Sequence, residues 1–141
     1  MVSKTQLEIM MDANVKLVIE ELGLEGIEVV VDRAEDYGRE HREAYDYVTA
    51  RAVSRLNVLM ELSSPMVKVG GKYIALKGPL AKEEAAECDG ACRELKLDLT
   101  KKQKIILPKS FGKRYNLIYT KLDYTPTKYP RDYNKMKKKP L

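Results

Sequence analysis

Two segments constrain this chain more than any others: Asp46-Tyr-Val-Thr-Ala-Arg-Ala-Val-Ser54 and Gly70-Gly-Lys-Tyr-Ile-Ala-Leu-Lys-Gly78. Each carries a strand-like apolar run to a cation, Arg51 in the first and Lys77 in the second, at the point where a strand should give way to a loop. In an open α/β sheet, ligands sit just outside the carboxyl ends of the strands. Two cations closing two successive strands therefore read as aimed at one crevice.

The pattern along the chain supports such a sheet. Leu7 to Met11, ending at Asp12, predicts a strand, and Val15, Val18, Ile19 and Leu22 fall at helical spacing, with Gly23 where a C-cap belongs. Ile27 to Val31 is β-branched and predicts a buried strand. Arg33 to Glu43 predicts a loop or short helical turn, and Tyr45 to Ala50 a strand. Ala52 to Met66 is helical by period, with Val53, Leu56, Leu59, Met60 and Leu62 facing inward and Pro65 marking its end. Val67 to Leu76 predicts a strand with a bulge or turn at Gly70-Gly71. Ala81 to Cys92 predicts one helix. Leu95 to Leu107 and Arg114 to Leu122 predict an antiparallel hairpin turning through Pro108–Gly112. Strand and helix alternate early and a hairpin comes last, which implies an α/β fold, mostly parallel with an antiparallel C-terminal edge.

At 141 residues the chain has the length of one domain. No apolar run approaches the about 18 residues of a membrane helix, and the start lacks the apolar stretch of a signal peptide, so a cytoplasmic setting without a membrane is expected. Cys88 and Cys92 share a helix face, but with only His41 to help them no metal site is expected. His41, in a charged stretch, is expected to be solvent-exposed rather than catalytic. Charge is uneven. Residues 109–141 hold ten Lys/Arg against two Asp/Glu, a net of +8, whereas residues 1–108 hold sixteen against nineteen, a net of −3. A basic end on an acidic domain points to a polyanion partner, or else to a solvated tail. Residues 1–123 read as the domain and 124–141 as a basic tail, disordered or draped over the surface, whose Tyr129 and Tyr133 have the chemistry to stack on unpaired bases.

Arg33-Ala-Glu35, the Asp46 to Val53 stretch, Ile74-Ala-Leu-Lys-Gly-Pro79 and the closing Lys128-Tyr-Pro-Arg131 and Lys137-Lys-Lys-Pro-Leu141 together resemble the 16S ribosomal RNA guanine-N7 methyltransferase family (RsmG, or GidB), in order over nearly the whole chain. The resemblance implies a Rossmann-like class I methyltransferase sheet with the usual order 3-2-1-4-5-7-6, of which this chain supplies strands 2 to 7. It implies S-adenosylmethionine as cofactor and 16S ribosomal RNA or the small ribosomal subunit as partner. Strand 1 and its glycine-rich turn have no counterpart, since no Gly-x-Gly occurs in these 141 residues. The fold is thus expected to be N-terminally truncated, with its central edges closing directly, pairing with a second chain (a separate N-terminal partner or another copy), or belonging to a fragment of a longer protein, the reading that the intact motifs favour. Orphaned backbone groups cost roughly 1–3 kcal/mol each when buried, so the isolated chain is expected to be inactive, and a non-catalytic RNA-binding remnant is the alternative.

Methyl transfer from a sulfonium to a nitrogen lone pair needs alignment more than acid–base chemistry, so no catalytic residue is expected. By resemblance, the cofactor-binding residues are Asp12 (ribose hydroxyls, or else a helix N-cap), Ala34 and Glu35 (the adenine side) and Arg51 (the cofactor carboxylate or an RNA phosphate). Arg33, Lys77 and Arg114 are the RNA-binding set, with a surface ion pair as the plain alternative for each cation.

Overall fold

The computed structural model describes residues 15–51 and 54–141. Its core is a four-stranded sheet formed by β1 (Tyr45–Arg51), β2 (Val67–Lys77), β3 (Leu97–Ile106) and β4 (Lys113–Lys121), in the spatial order β1-β2-β4-β3. β1 and β2 are parallel, and β4 runs antiparallel to both β2 and β3. That order reproduces the 4-5-7-6 half of the expected sheet, hairpin included. After a helical stretch at residues 15–22, the helices are α1 (Ala34–Glu40), α2 (Leu56–Ser63, prolonged by a 3₁₀ turn Ser64–Met66), α3 (Ala81–Ala86), α4 (Asp89–Leu95) and α5 (Tyr133–Lys138). No described helix is long and apolar enough to cross a membrane.

Strand periodicity sorts the side chains. Tyr73, Ala75, Tyr115, Leu117 and Tyr119 point to one face and form the core with Leu56, Met60, Ala81, Ala85, Leu95 and Tyr129. Tyr73 and Tyr119, directly paired across β2 and β4, stack with ring centroids 5.9 Å apart. The opposite face carries Tyr47, Ile74, Leu76, Ile118 and Ile105, and Tyr47 is 68% exposed. Described helices cover only the first face.

The Gly70-Gly71 pair forms the expected bulge. Between Tyr45↔Val67 and Tyr47↔Lys72 the register slips, Gly70 has φ of 84°, and a Cβ on Gly71 would lie 2.7 Å from the Asp46 carbonyl oxygen. Only glycine allows β2 to fold that closely against β1.

Several expectations change. Residues 15–22 are helical and end in the predicted cap, with Gly23 at φ 59° and Leu24 N–H donating to the Ile19 carbonyl at 3.0 Å. Yet Val15, Leu17, Val18 and Leu22 are exposed and face no partner among the described residues. Ile27–Val31 does not form a strand; it is irregular, with a single bridge residue at Val31. β-branched composition favours a strand only where a neighbouring ladder accepts it, and no described strand lies beside this segment. The expected strand Leu7–Met11, Asp12 and Val53 lie outside the described residues. Ala81–Cys92 is two short helices, broken at Glu87 and Cys88. The break lets the chain turn while keeping Ala81, Ala85, Cys88, Ala91 and Leu95 buried.

Residues 124–141 drape over the helical side and are anchored there. Arg42 donates to the carbonyls of Thr125 and Tyr129, Glu43 accepts from the Thr125 N–H, and Arg131 meets Glu61. Tyr129 and Met136 are buried. The absence of apolar periodicity hid this, because two isolated anchors and a set of buried ion pairs leave no periodic trace.

Candidate functional site

The parallel register aligns the carboxyl ends of β1 and β2, with Arg51 opposite Leu76 and Lys77 one residue on. β4 brings its amino end to the same rim, since Lys77 pairs with Tyr115 and Arg114 follows beyond. Arg51, Lys77 and Arg114 thus stand on three adjacent strands along one edge of the sheet. Arg51 and Arg114 are exposed there, and Arg114 Nη1 donates to the Lys113 carbonyl at 2.9 Å.

Lys77 differs from both. Its side chain is 3% exposed, and Nζ donates to the Ser54 carbonyl at 3.0 Å and to Glu84 Oε1 at 3.1 Å. The ammonium pins the loop that leaves β1 to the start of α3. In this conformation it is a buried strut between two loops of the rim, neither a solvent-facing cation nor a surface ion pair.

Ala34 and Glu35 open α1. Arg33 is the N-cap without a side-chain cap; Glu35 and Asp36 in the first turn and Arg39 in the last turn match the helix dipole. Glu35 is buried, and its Oε1 accepts from Arg33 Nε at 2.9 Å. With Arg33, Asp36, Arg39, Asp132, Tyr133 and Asn134 it lines a polar cleft of about 260 Å³ between α1 and the C-terminal segment. Glu35 therefore sits in a helical first turn, and neither Arg51 nor Lys77 lines its cleft. Register puts Arg51 beside Leu76 and Arg114 beside Ile105 on the open face of the sheet, and Lys77 beside Tyr115 on the helical face, so the rim cations share an edge but not the single crevice expected of them, and Arg33, Ala34 and Glu35 gather in a separate cleft.

Neither cysteine offers chemistry. Burial pushes the Cys88 thiol up to about 12 and the Cys92 thiol up to about 11, so both stay protonated. His41 is half-buried rather than solvent-exposed, stacked on Tyr37 at 3.9 Å with Nδ1 2.9 Å from the Tyr37 carbonyl oxygen. Tyr129 cannot stack on a base, because its ring is buried and its hydroxyl donates to Glu94 at 2.9 Å. Sequence reasoning missed Arg42, Glu43 and Glu61, the charged residues that seat the C-terminal segment and, with it, one wall of the Glu35 cleft, and the buried Lys121 that pairs with Glu43. Glu61, set among the apolar residues of α2, was the available signal: a carboxylate on a core-facing helix demands a buried cation.

The family model described as GidB, rRNA small subunit methyltransferase G, matches residues 13–118. The chain belongs to this family. A Thermotoga petrophila protein named ribosomal RNA small subunit methyltransferase G is 48% identical over 124 residues, covering 88% of this chain and 54% of that protein. One of the same name from Lactobacillus delbrueckii subsp. bulgaricus is 44% identical over 125 residues, covering 87% and 52%. The chain therefore spans about half the length of the curated relatives it matches. Among solved structures, M. jannaschii TYW2 in complex with AdoMet aligns with a TM-score of 0.60 at 9% identity, over 79% of this chain and 53% of that one. A Streptococcus thermophilus rRNA methylase aligns with a TM-score of 0.56 at 15% identity, over 84% and 70%. The fold of this GidB-family chain is the Rossmann-like class I methyltransferase sheet.

Proposed function

We propose that this chain forms the 4-5-7-6 side of an S-adenosylmethionine-dependent methyltransferase acting on a guanine N7 of 16S ribosomal RNA, in the cytoplasm where ribosomal subunits are made. The observation that carries the reading is the position of Arg51 and Lys77, each from a separate family motif, and of Arg114 along one carboxyl rim of a sheet with the methyltransferase strand order. A class I sheet receives its ligands at that rim.

The residues fit the cofactor in part. Buried Glu35, with Oε2 unpaired among the described residues, is suited to accept from an adenine amino group beside the Ala34 backbone. The guanidinium of Arg51 suits a carboxylate or a phosphate. Asp12 is assigned the ribose hydroxyls. When bound, S-adenosylmethionine supplies the electrophilic methyl group. The chain's own residues orient donor and base, and no proton transfer at the protein is required. Arg33 and Arg114 are assigned RNA phosphates. Lys77 sets the rim by holding Ser54, and any RNA contact of its own requires release from Glu84.

A second reading concerns assembly. β1 has no partner on its outer edge among the described residues, and one sheet face carries exposed Tyr47, Leu76 and Ile105. These features favour work alongside further polypeptide, whether a separate N-terminal partner or a second copy, with the 141 residues alone turning over negligibly.

The test is methyl transfer to undermethylated 16S RNA, by the chain alone and after adding the part of a relative that it does not match, with cofactor affinity followed by calorimetry. Expected are negligible turnover alone, methylation on complementation, and its loss in Arg51→Ala. An RNA-binding chain that neither binds cofactor nor supports methylation in the complemented mixture would instead be a non-catalytic remnant.

A further inference from the structure

The β3–β4 hairpin outruns the strand beside it. β2 ends at Lys77 opposite Tyr115, but β4 and β3 continue to the pair Lys113↔Ile106. At about 3.3 Å per residue, two further positions carry the ladder about 7 Å past the rim. The turn 107–112 lies beyond that.

The turn is held in one shape. Leu107 N–H donates to the Gly112 carbonyl at 2.9 Å and Phe111 N–H to the Pro108 carbonyl at 3.3 Å. Lys109, Ser110 and Gly112 all have positive φ, at 54°, 61° and 92°. Side-chain-bearing residues seldom adopt that conformation, and two of them in a row fix which way the next side chain is presented.

What the turn presents is Phe111, the only phenylalanine of the chain and 66% exposed, beside Ile106 at 72%. Around them the charge has one sign. From Lys101 to Arg114 there are six Lys/Arg (101, 102, 104, 109, 113 and 114) and no Asp or Glu. All six are exposed, and none makes an ion pair among the described residues. Lys101, Lys102 and Lys104 have an ordinary role guarding an edge strand against unwanted pairing. Lys113 and Arg114 lie where β4 has outrun β2, and with Lys109 in the turn they surround an aromatic ring at the apex of a projection.

We propose that the hairpin tip, with Phe111 at its apex, docks unpaired RNA nucleotides: Phe111 stacks on a base while Lys109, Lys113 and Arg114 hold the flanking phosphates. The proposal rests on the RNA-methylating reading above and adds the means by which substrate is gripped next to the rim. Every base has a π-face, so an aromatic ring ringed by cations holds a single strand without selecting its sequence. A tip standing past the rim reaches nucleotides neighbouring the one presented at the rim beside Arg51.

The chain contains no tryptophan, so Phe111→Trp introduces a sole indole whose emission reports stacking directly. Single-stranded RNA of roughly ten nucleotides, an arbitrary length within the site sizes of such proteins, should quench it saturably, with a midpoint matching that from anisotropy of labelled RNA. Heparin should compete for the cations without quenching. Phe111→Ala should weaken RNA binding roughly tenfold, and Lys109→Gln with Lys113→Gln should lower the salt slope by roughly two. Undiminished RNA affinity in Phe111→Ala, with the indole of Phe111→Trp unquenched, would overturn the stacking role and leave the methyltransferase reading standing. A blue shift on phosphatidylserine vesicles without quenching by RNA would overturn it in favour of a membrane contact. No RNA binding by either measurement, in the chain alone and in the complemented mixture, would remove the proposal and the RNA-methylating reading together.

Discussion

Arg131 grips Glu61 with its backbone and its side chain at once: its N–H donates to Oε2 at 2.7 Å, Nη2 to Oε1 at 2.7 Å, and Nε to both oxygens at 3.1 Å. Glu61 is 1% exposed, so the carboxylate has exchanged water entirely for one arginine. This pair fastens the C-terminal segment to α2. Removing one partner of a buried ion pair leaves an uncompensated charge, at a cost of about 3–5 kcal/mol. Arg131→Ala should therefore destabilise the fold by that order in urea unfolding. Arg131→Ala combined with Glu61→Leu should recover much of the loss, because no charge is then stranded. Equal destabilisation in the single and double variants would show that packing, not the carboxylate, sets the cost.

Lys121 makes stability depend on pH. Its ammonium is buried against the Ser64 and Val67 carbonyls at 2.8 and 3.1 Å, with Glu43 at 3.6 Å and Arg42 adding like charge. Burial outweighs Glu43 and lowers its pKa from 10.5 to about 8. Between those values the unfolded chain holds a proton that the folded chain has shed, so stability rises with pH above 8. Cys88 and Cys92 act oppositely, since thiols raised from 9.0 to about 12 and about 11 withdraw stability as pH passes 9. From pH 8 to 9 Lys121 adds up to about 1 kcal/mol while the two thiols withdraw most of it, so the wild type should change little and Lys121→Met should lose up to about 1 kcal/mol relative to it. Parallel curves for the two proteins would refute the assignment to Lys121.

Gly70 and Gly71 should respond to alanine for different reasons. Gly71→Ala drives a Cβ to 2.7 Å from the Asp46 carbonyl oxygen and 2.9 Å from that of Lys68, both backbone atoms with little freedom to yield. Overpacking of this kind costs about 1–3 kcal/mol or more. At Gly70 nothing lies within 4 Å, and only its φ of 84° resists a side chain, which should cost roughly 1 kcal/mol. Thermal melts should place Gly71→Ala below Gly70→Ala. The reverse order would mean that the bulge relaxes around the added methyl group.

The rim was legible in the sequence because each of its parts leaves a local mark. The runs ending at Arg51 and Lys77, the glycine pair, and the hairpin about Pro108–Gly112 are all short-range patterns, and each appears where its pattern places it. The fate of Ile27–Val31 was not legible: its side chains favour a strand, but a strand exists only through its neighbour. Nor were the buried charges, because nothing local distinguishes a lysine that will meet solvent from one enclosed between two loops.

By itself the sequence determined the strands of the rim, the hairpin and the residues that end them, since dihedral preference and side-chain period act within a few residues. Tertiary structure alone decided what those residues then do. It drew Lys77 inward to Ser54 and Glu84, seated residues 124–141 through Arg131 on Glu61, and left Phe111 standing clear of the rim. Burial and ion pairing depend on groups distant along the chain. A charge's environment, unlike its identity, is fixed only when those groups meet.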